Sequence, residues 1–189
     1  MKKLRILSIL LILALFAGML SGCNTQDSTL EVFQAKNKNE VIKILGKPDY
    51  DNDCGGKSSS IHYSGYEIAD VKGNYSVSFY NGSIESAYFT VSYGGDGTSR
   101  EDMLDKAEAD HKTLTKYLFD TYGGDQELSY DPHENAYWTA WEVENSGSPV
   151  RIDYIYYPDG LGSMAESPDA EPDPEGHHTF IELQFRPQN

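Results

Sequence analysis

The chain has 189 residues, of which 39% are hydrophobic, and its 30 acidic residues against 15 basic ones give a formal net charge of −15. That balance excludes a nucleic-acid binder, which needs a basic footprint. It also excludes adsorption to anionic lipid headgroups by charge alone.

The first residues read as an export signal. Lys2, Lys3 and Arg5 form a positive start, Ile6 to Met19 is apolar, and Leu20-Ser21-Gly22-Cys23 closes the run in small residues. The run is too short, and too broken by Gly18, Ser21 and Gly22, for a membrane span of about 20 apolar residues. Leu-Ser-Gly-Cys resembles the lipobox of bacterial lipoproteins. That resemblance implies that Cys23 becomes the mature N-terminus and carries acyl chains such as palmitate. The protein is then expected at the cell membrane or envelope, lipid-anchored on the extracytoplasmic face, without a spanning helix. Losing Lys2, Lys3 and Arg5 leaves 12 of the 15 basic residues against 30 acidic ones, a net charge of −18. The lipid on Cys23 would supply the membrane affinity, and the acidic body would stand off the surface. Cys54 is then the one remaining thiol and no intramolecular disulfide is possible. Asp51 and Asp53 beside it disfavour the thiolate, which reads as an inert loop thiol.

After a polar tether at 24–28, Leu30, Val32 and Phe33 start the folded part as a short helix. Asn39 to Leu45 reads as the next helix. Asn37 caps its start with Glu40 three residues on, Val41, Ile44 and Leu45 form its apolar stripe, and Gly46 and Pro48 stop it. The period then changes to two. Ser59 to Ile68 and Asn74 to Tyr80 read as strands, Asn81-Gly82 as a tight hairpin turn, and Ser83 to Tyr93 as the returning strand. Ser99 caps a long amphipathic helix in which Leu104, Ala107, His111, Leu114 and Leu118 recur at steps of three and four, ending at Tyr122-Gly123. Three strands follow, at Ala136 to Val143, Val150 to Tyr157 and Thr179 to Phe185.

Gly46 and Gly123 are 77 positions apart, and so are Tyr80 and Tyr157. Helix, stop glycine and three strands recur in one order at that offset. The expected fold class is α+β, a tandem repeat of a helix plus a three-stranded antiparallel sheet. The expected units are a signal peptide with lipobox at 1–23, a tether at 24–28, a first repeat at 29–97 and a second at 98–189. An acidic, proline-rich insertion at 158–176 replaces one hairpin turn in the second repeat.

No catalytic signature is present: there is no nucleophile elbow, phosphate-binding glycine loop or zinc-protease helix. The chain is expected to be non-enzymatic and to need no cofactor. Asp173, Glu175, His177 and His178 form a weak alternative, a metal-binding or metal-sensing loop, although adjacent strand residues point to opposite faces. His111 on the apolar helix face reads as a buried structural histidine. The aromatics say more. Tyr66, Asp70, Tyr75, Tyr88, Trp138, Trp141 and Tyr157 make up a candidate face for a protein partner, because exposed Tyr and Trp bury large area at low entropic cost. Alternation groups Tyr75 with the inward set.

Glu40-Val41-Ile42-Lys43-Ile44-Leu45-Gly46-Lys47-Pro48-Asp49 resembles the helix-glycine-proline motif of the SmpA/OmlA (BamE-like) envelope lipoproteins. The tandem form, with Asp53-Cys54-Gly55-Gly56 and Ser60-Ile61-His62-Tyr63-Ser64-Gly65, resembles the beta-lactamase inhibitor protein family (BLIP-like). The resemblance covers most of Leu30 to Tyr93, and the second unit by pattern. It implies two helix-plus-sheet repeats with a concave sheet surface for a protein ligand. Two departures stand out. Tyr63 occupies the position of the family's second cysteine, so its disulfide is absent. The family's adjacent Asp-Tyr pair is spread here over Asp70-Val71-Lys72-Gly73-Asn74-Tyr75.

Overall fold

A computed structural model describes residues 29–53, 56–94, 99–124, 127–147, 149–158 and 179–188. Cys23, Cys54, the tether and nearly all of the 158–176 insertion lie outside the described residues.

The helices form where the caps predict them. Helix α1, Lys38–Leu45, starts at Asn37, whose side chain accepts the Glu40 N–H at 3.2 Å. Glu40 reaches back to accept the Lys36 N–H at 2.8 Å, so orphan donors are satisfied from both sides. The chain leaves α1 at Gly46, whose φ of 88° suits a residue without Cβ. Helix α2, Arg100–Tyr122, starts on Ser99, whose Oγ accepts the Asp102 N–H at 3.1 Å.

Eight strands follow the period-two stretches: β1 Tyr50–Asp53, β2 Ser58–Ile68, β3 Val71–Tyr80, β4 Ser83–Tyr93, β5 Ser129–Asp131, β6 Ala136–Val143, β7 Val150–Tyr157 and β8 Thr179–Pro187. Two-residue turns at Ala69-Asp70 and Asn81-Gly82, all four residues at positive φ, join β2 to β3 and β3 to β4. Their mirror-image twist matches that of the paired strands.

The expected tandem repeat of a helix plus three strands is overturned. All eight strands form one antiparallel sheet in the order β1-β2-β3-β4-β8-β7-β6-β5. The seam is β4 against β8, a continuous ladder from Ala87↔Phe185 to Tyr93↔Thr179. Each half contributes four strands and not three, since the short, mostly polar strands β1 and β5, which show no alternation, pair at the two edges. The halves are unlike in helix too: α1 has 8 residues and α2 has 23.

One face of this sheet carries the core. Tyr75, Val77 and Phe79 of β3, Phe89 of β4, Ile152 and Tyr154 of β7, and Ile181, Leu183 and Phe185 of β8 are buried there with Ala107, Leu114 and Leu118 of α2. The segment from Thr29 to Ala35 lies on the same side. Thr29 O accepts the Tyr75 hydroxyl, Phe33 packs on Phe185, and Asn145 Nδ2 donates to Leu30 O at 2.7 Å. Tyr63, at the position where the resemblance leads one to look for a cysteine, donates its hydroxyl to Gly46 O at 3.1 Å. It thereby ties the end of α1 to the sheet with a hydrogen bond, and burial pushes its pKa up to about 12. Among the described residues no buried side-chain polar atom lacks a hydrogen-bond partner.

Candidate functional site

A strand sends alternate side chains to opposite faces, so the ladder registers sort every side chain. The described helical segments all sit on the core side. On the other face Tyr50, Tyr80 and Trp138 are exposed.

The open face has two characters. Over β2, β3 and β4 it carries Ser60, His62 and Ser64, then Asn74, Ser76, Ser78 and Tyr80, then Tyr88, Thr90 and Ser92. The Asp, Glu, Lys and Arg side chains that the β2–β3 register adds to this stretch are Glu67 and Lys72, an opposed pair 4.0 Å apart at the turn end of the hairpin, and the rest is hydroxyl, amide and ring. Ser60 and His62 are hydrogen bonded at 3.0 Å, and Tyr50 of β1, 61% exposed, leans on the His62 ring at 5.9 Å. Over β8, β7 and β6 the same face is ionic. Asp153 receives Arg151 Nε at 2.8 Å and Arg186 at 2.7 Å, and Glu182 lies beside them with its pKa raised by burial. Gln184 Nε2 donates to the Tyr88 hydroxyl at 2.6 Å across the seam, joining the two regions. Trp138, 46% exposed, stands at the ionic end, above a hollow of about 270 Å³ lined also by Asp131, Asp153 and Ile155.

The residues expected from the sequence divide between the faces. Trp138 and Tyr88 are on the open face, and Asp70 is exposed at the tip of the β2–β3 turn with φ 66°. Tyr75 is fully buried on the core face. Tyr66 is half-buried there, stacked on Tyr75 with ring centroids 4.6 Å apart and its hydroxyl 3.1 Å from Thr29 Oγ1. A bulge between Ser64 and Tyr66 puts it there: the extra residue Gly65 turns a side chain that strict alternation aims outward. Trp141 is buried as well. It pairs with Ile152, meets Phe119 edge-on and donates Nε1–H to Gly123 O at 2.8 Å. Its separation from Trp138 by an odd number of residues sends the two indoles to opposite faces. Tyr157 is on the open side by register but buried, stacked on Phe180 at 4.2 Å. Tyr75, Trp141 and Tyr157 are thus buried side chains and not members of an exposed face. Tyr50 and Tyr130, both exposed, were missed because β1 and β5 lack the strand period.

Cys23 and the four residues of the alternative metal loop, Asp173, Glu175, His177 and His178, lie outside the described residues. Among the described residues no group of three or more His, Cys, Asp or Glu could hold a metal ion, and no helix is long and apolar enough to cross a membrane.

His111 has a defined structural place. Its Nδ1 is 2.6 Å from the Tyr154 hydroxyl and its ring stacks on Tyr156 at 4.3 Å. Burial lowers its pKa from 6.5 to about 4. The unfolded chain therefore binds this proton more readily than the folded one. His111 leaves stability untouched above pH 6.5 and costs stability as pH falls from 6.5 towards about 4. We expect His111→Gln to flatten the pH dependence of urea midpoints across that window, against a wild-type loss of up to about 1.4 kcal/mol per pH unit before solvent screening. An NMR titration placing the ring pKa at or above 6.5 would refute the assignment.

Comparison with protein-family models, with curated proteins and with solved structures found no match to the chain.

Proposed function

We propose that this chain is a lipid-anchored, non-enzymatic binding module of the extracytoplasmic face, and that its open sheet face receives a protein partner. The observation that carries the reading is the asymmetry of the sheet. One face is covered by the described helices, whereas the other displays Tyr50, Tyr80, Tyr88 and Trp138 around a field of hydroxyl side chains. Flat faces with part-exposed Tyr and Trp suit protein contact, since these side chains lose little entropy on burial and offer a polar tip. The ionic half offers orientation: a fixed Arg151–Asp153–Arg186 cluster recognises complementary charge and sets register more than affinity. Cys23 in Leu20-Ser21-Gly22-Cys23, after a basic start and an apolar run, supports the anchor, and the acidic body would not itself be drawn to anionic headgroups.

Photo-cross-linking tests the reading. A benzophenone side chain replacing Trp138 in the full-length chain, irradiated on native membranes, is expected to give an adduct of discrete mass. The same group replacing Lys116 on the solvent side of α2 is expected to give none. Equal adducts at the two positions, or none at either, would remove the open face as the partner surface.

A further inference from the structure

We propose that the groove between α2 and the β5–β7 edge, on the core side of the sheet, is a binding site for a sugar ring, free or terminal in a glycan. The groove has a volume of about 660 Å³, within the usual range for small-ligand sites. It is separate from the open face and stands whether or not that face binds a protein.

Its floor is aromatic. His111, Tyr156 and Tyr137 line it as a row of rings, with centroids 4.3 Å and 6.2 Å apart in turn, and Tyr130, outside the groove, packs on Tyr137 at 5.0 Å. Tyr156 is 6% exposed and forms the base, while Tyr137, 36% exposed, offers an open edge of the row to the groove. Burial keeps His111 neutral at pH 7, so the floor carries no charge. The ring row is held from beneath by the contact of His111 with Tyr154.

The walls carry hydrogen-bonding groups of both kinds. Arg100, Leu104, Glu108 and Lys112 project from successive turns of α2, three of them polar, and Asn135 from the β5–β6 turn, where its backbone is left-handed at φ 48°. Glu108 and Lys112 pair at 2.5 Å but are 59% and 70% exposed, so the pair is weak and can exchange its partners for a ligand. A ligand with one net charge would meet both signs within a few ångströms. A neutral ligand bearing many hydroxyls meets no such conflict. Each hydroxyl donates to Glu108 and accepts from Arg100, Lys112 or the Asn135 amide, which the Tyr130 hydroxyl orients by donating to Asn135 Oδ1 at 2.8 Å. Charged partners make these bonds stronger than neutral ones. The C–H groups of a pyranose are apolar and suit the part of the Tyr137 ring that its neighbours leave open. Aromatic floor, mixed-sign polar walls and an open mouth together select a sugar over a fatty chain, which would leave the wall charges unpaired, and over a metal ion, which the aromatic floor cannot ligate.

The test uses the full-length chain in detergent and two probes. Calorimetric titration with glucose, galactose and N-acetylglucosamine, one at a time, reads free sugars, and an immobilised glycan array reads terminal ones. At least one sugar is expected to bind. Tyr137→Ala and Glu108→Gln are each expected to weaken it about tenfold or more, which is about 1.4 kcal/mol, while Trp138→Ala on the opposite face leaves it unchanged. Both Tyr137 and Glu108 are exposed, and a variant that fails to fold by circular dichroism is replaced by Lys112→Ala, whose side chain is 70% exposed. Silence of the whole panel on both probes overturns the proposal. So does a loss caused equally by Trp138→Ala.

Discussion

Phe185→Ala is expected to destabilise the chain by about 3–5 kcal/mol, the largest loss for any single truncation we foresee. Phe185 is 1% exposed and sits on β8, the strand that makes two halves into one sheet. Its neighbours come from everywhere in the core. Ala87 is across the ladder on β4 and Ile152 across it on β7, with Tyr75 edge-on from β3 and Phe33 tilted from the N-terminal segment. Truncation removes apolar contact and leaves a cavity that four separate segments would have to move together to fill, which close-packed interiors resist. Total stability of small domains is about 5–15 kcal/mol, so a large share is at stake. Urea unfolding followed by tyrosine fluorescence and by far-UV circular dichroism should give coincident, shifted midpoints. A shift worth less than about 1 kcal/mol would mean that the seam is not the centre of the core.

Gly73→Ala acts by a different route, the close approach of two strands. Gly73 pairs with Tyr66 just past the β2 bulge. A Cβ there would lie 2.6 Å from the Thr90 carbonyl oxygen and 2.8 Å from two carbons of the Phe89 ring. Neither neighbour can yield cheaply: the oxygen belongs to the β4 backbone and Phe89 is fully buried. The strand must bow outward, and overpacking of this kind costs about 1–3 kcal/mol or more. Gly56→Ala is the control, since nothing lies within 4 Å of its would-be Cβ. Thermal melts should show Gly73→Ala well below wild type and Gly56→Ala beside it. Equal melting of the two variants would show that β3 and β4 are not held as close as described.

Local features of this fold were legible in the sequence and non-local ones were not. Asn37, Ser99, Gly46 and Gly123 marked the helix ends because capping is decided within a few residues. Asn81-Gly82 marked its hairpin for the same reason. The pairing of β4 with β8 joins residues about ninety positions apart, and no local signal specifies it. A repeating order of helix and strands therefore looked like two units when the strands form one sheet. The candidate face failed in part for equally physical reasons. The period of two put Tyr75 inward correctly and warned against it, but one bulge residue, Gly65, carried Tyr66 to the same side. Trp138 and Trp141 could be told to lie on opposite faces, yet which indole faced out depended on the pairing Trp141↔Ile152. Tyr50 lay hidden in Tyr50-Asp51-Asn52-Asp53, a strand without an apolar period that edge pairing with β2 holds in place.

The sheet with one packed face and one working face is the idea on which the functional reading stands. The face-resolved cross-link measures it most directly, because positions 138 and 116 sit on opposite sides of the molecule and share the same chain, anchor and membrane. A discrete protein adduct from position 138 with none from position 116 is the predicted result. Adducts of equal yield from both positions, or an adduct from position 116 alone, would contradict it.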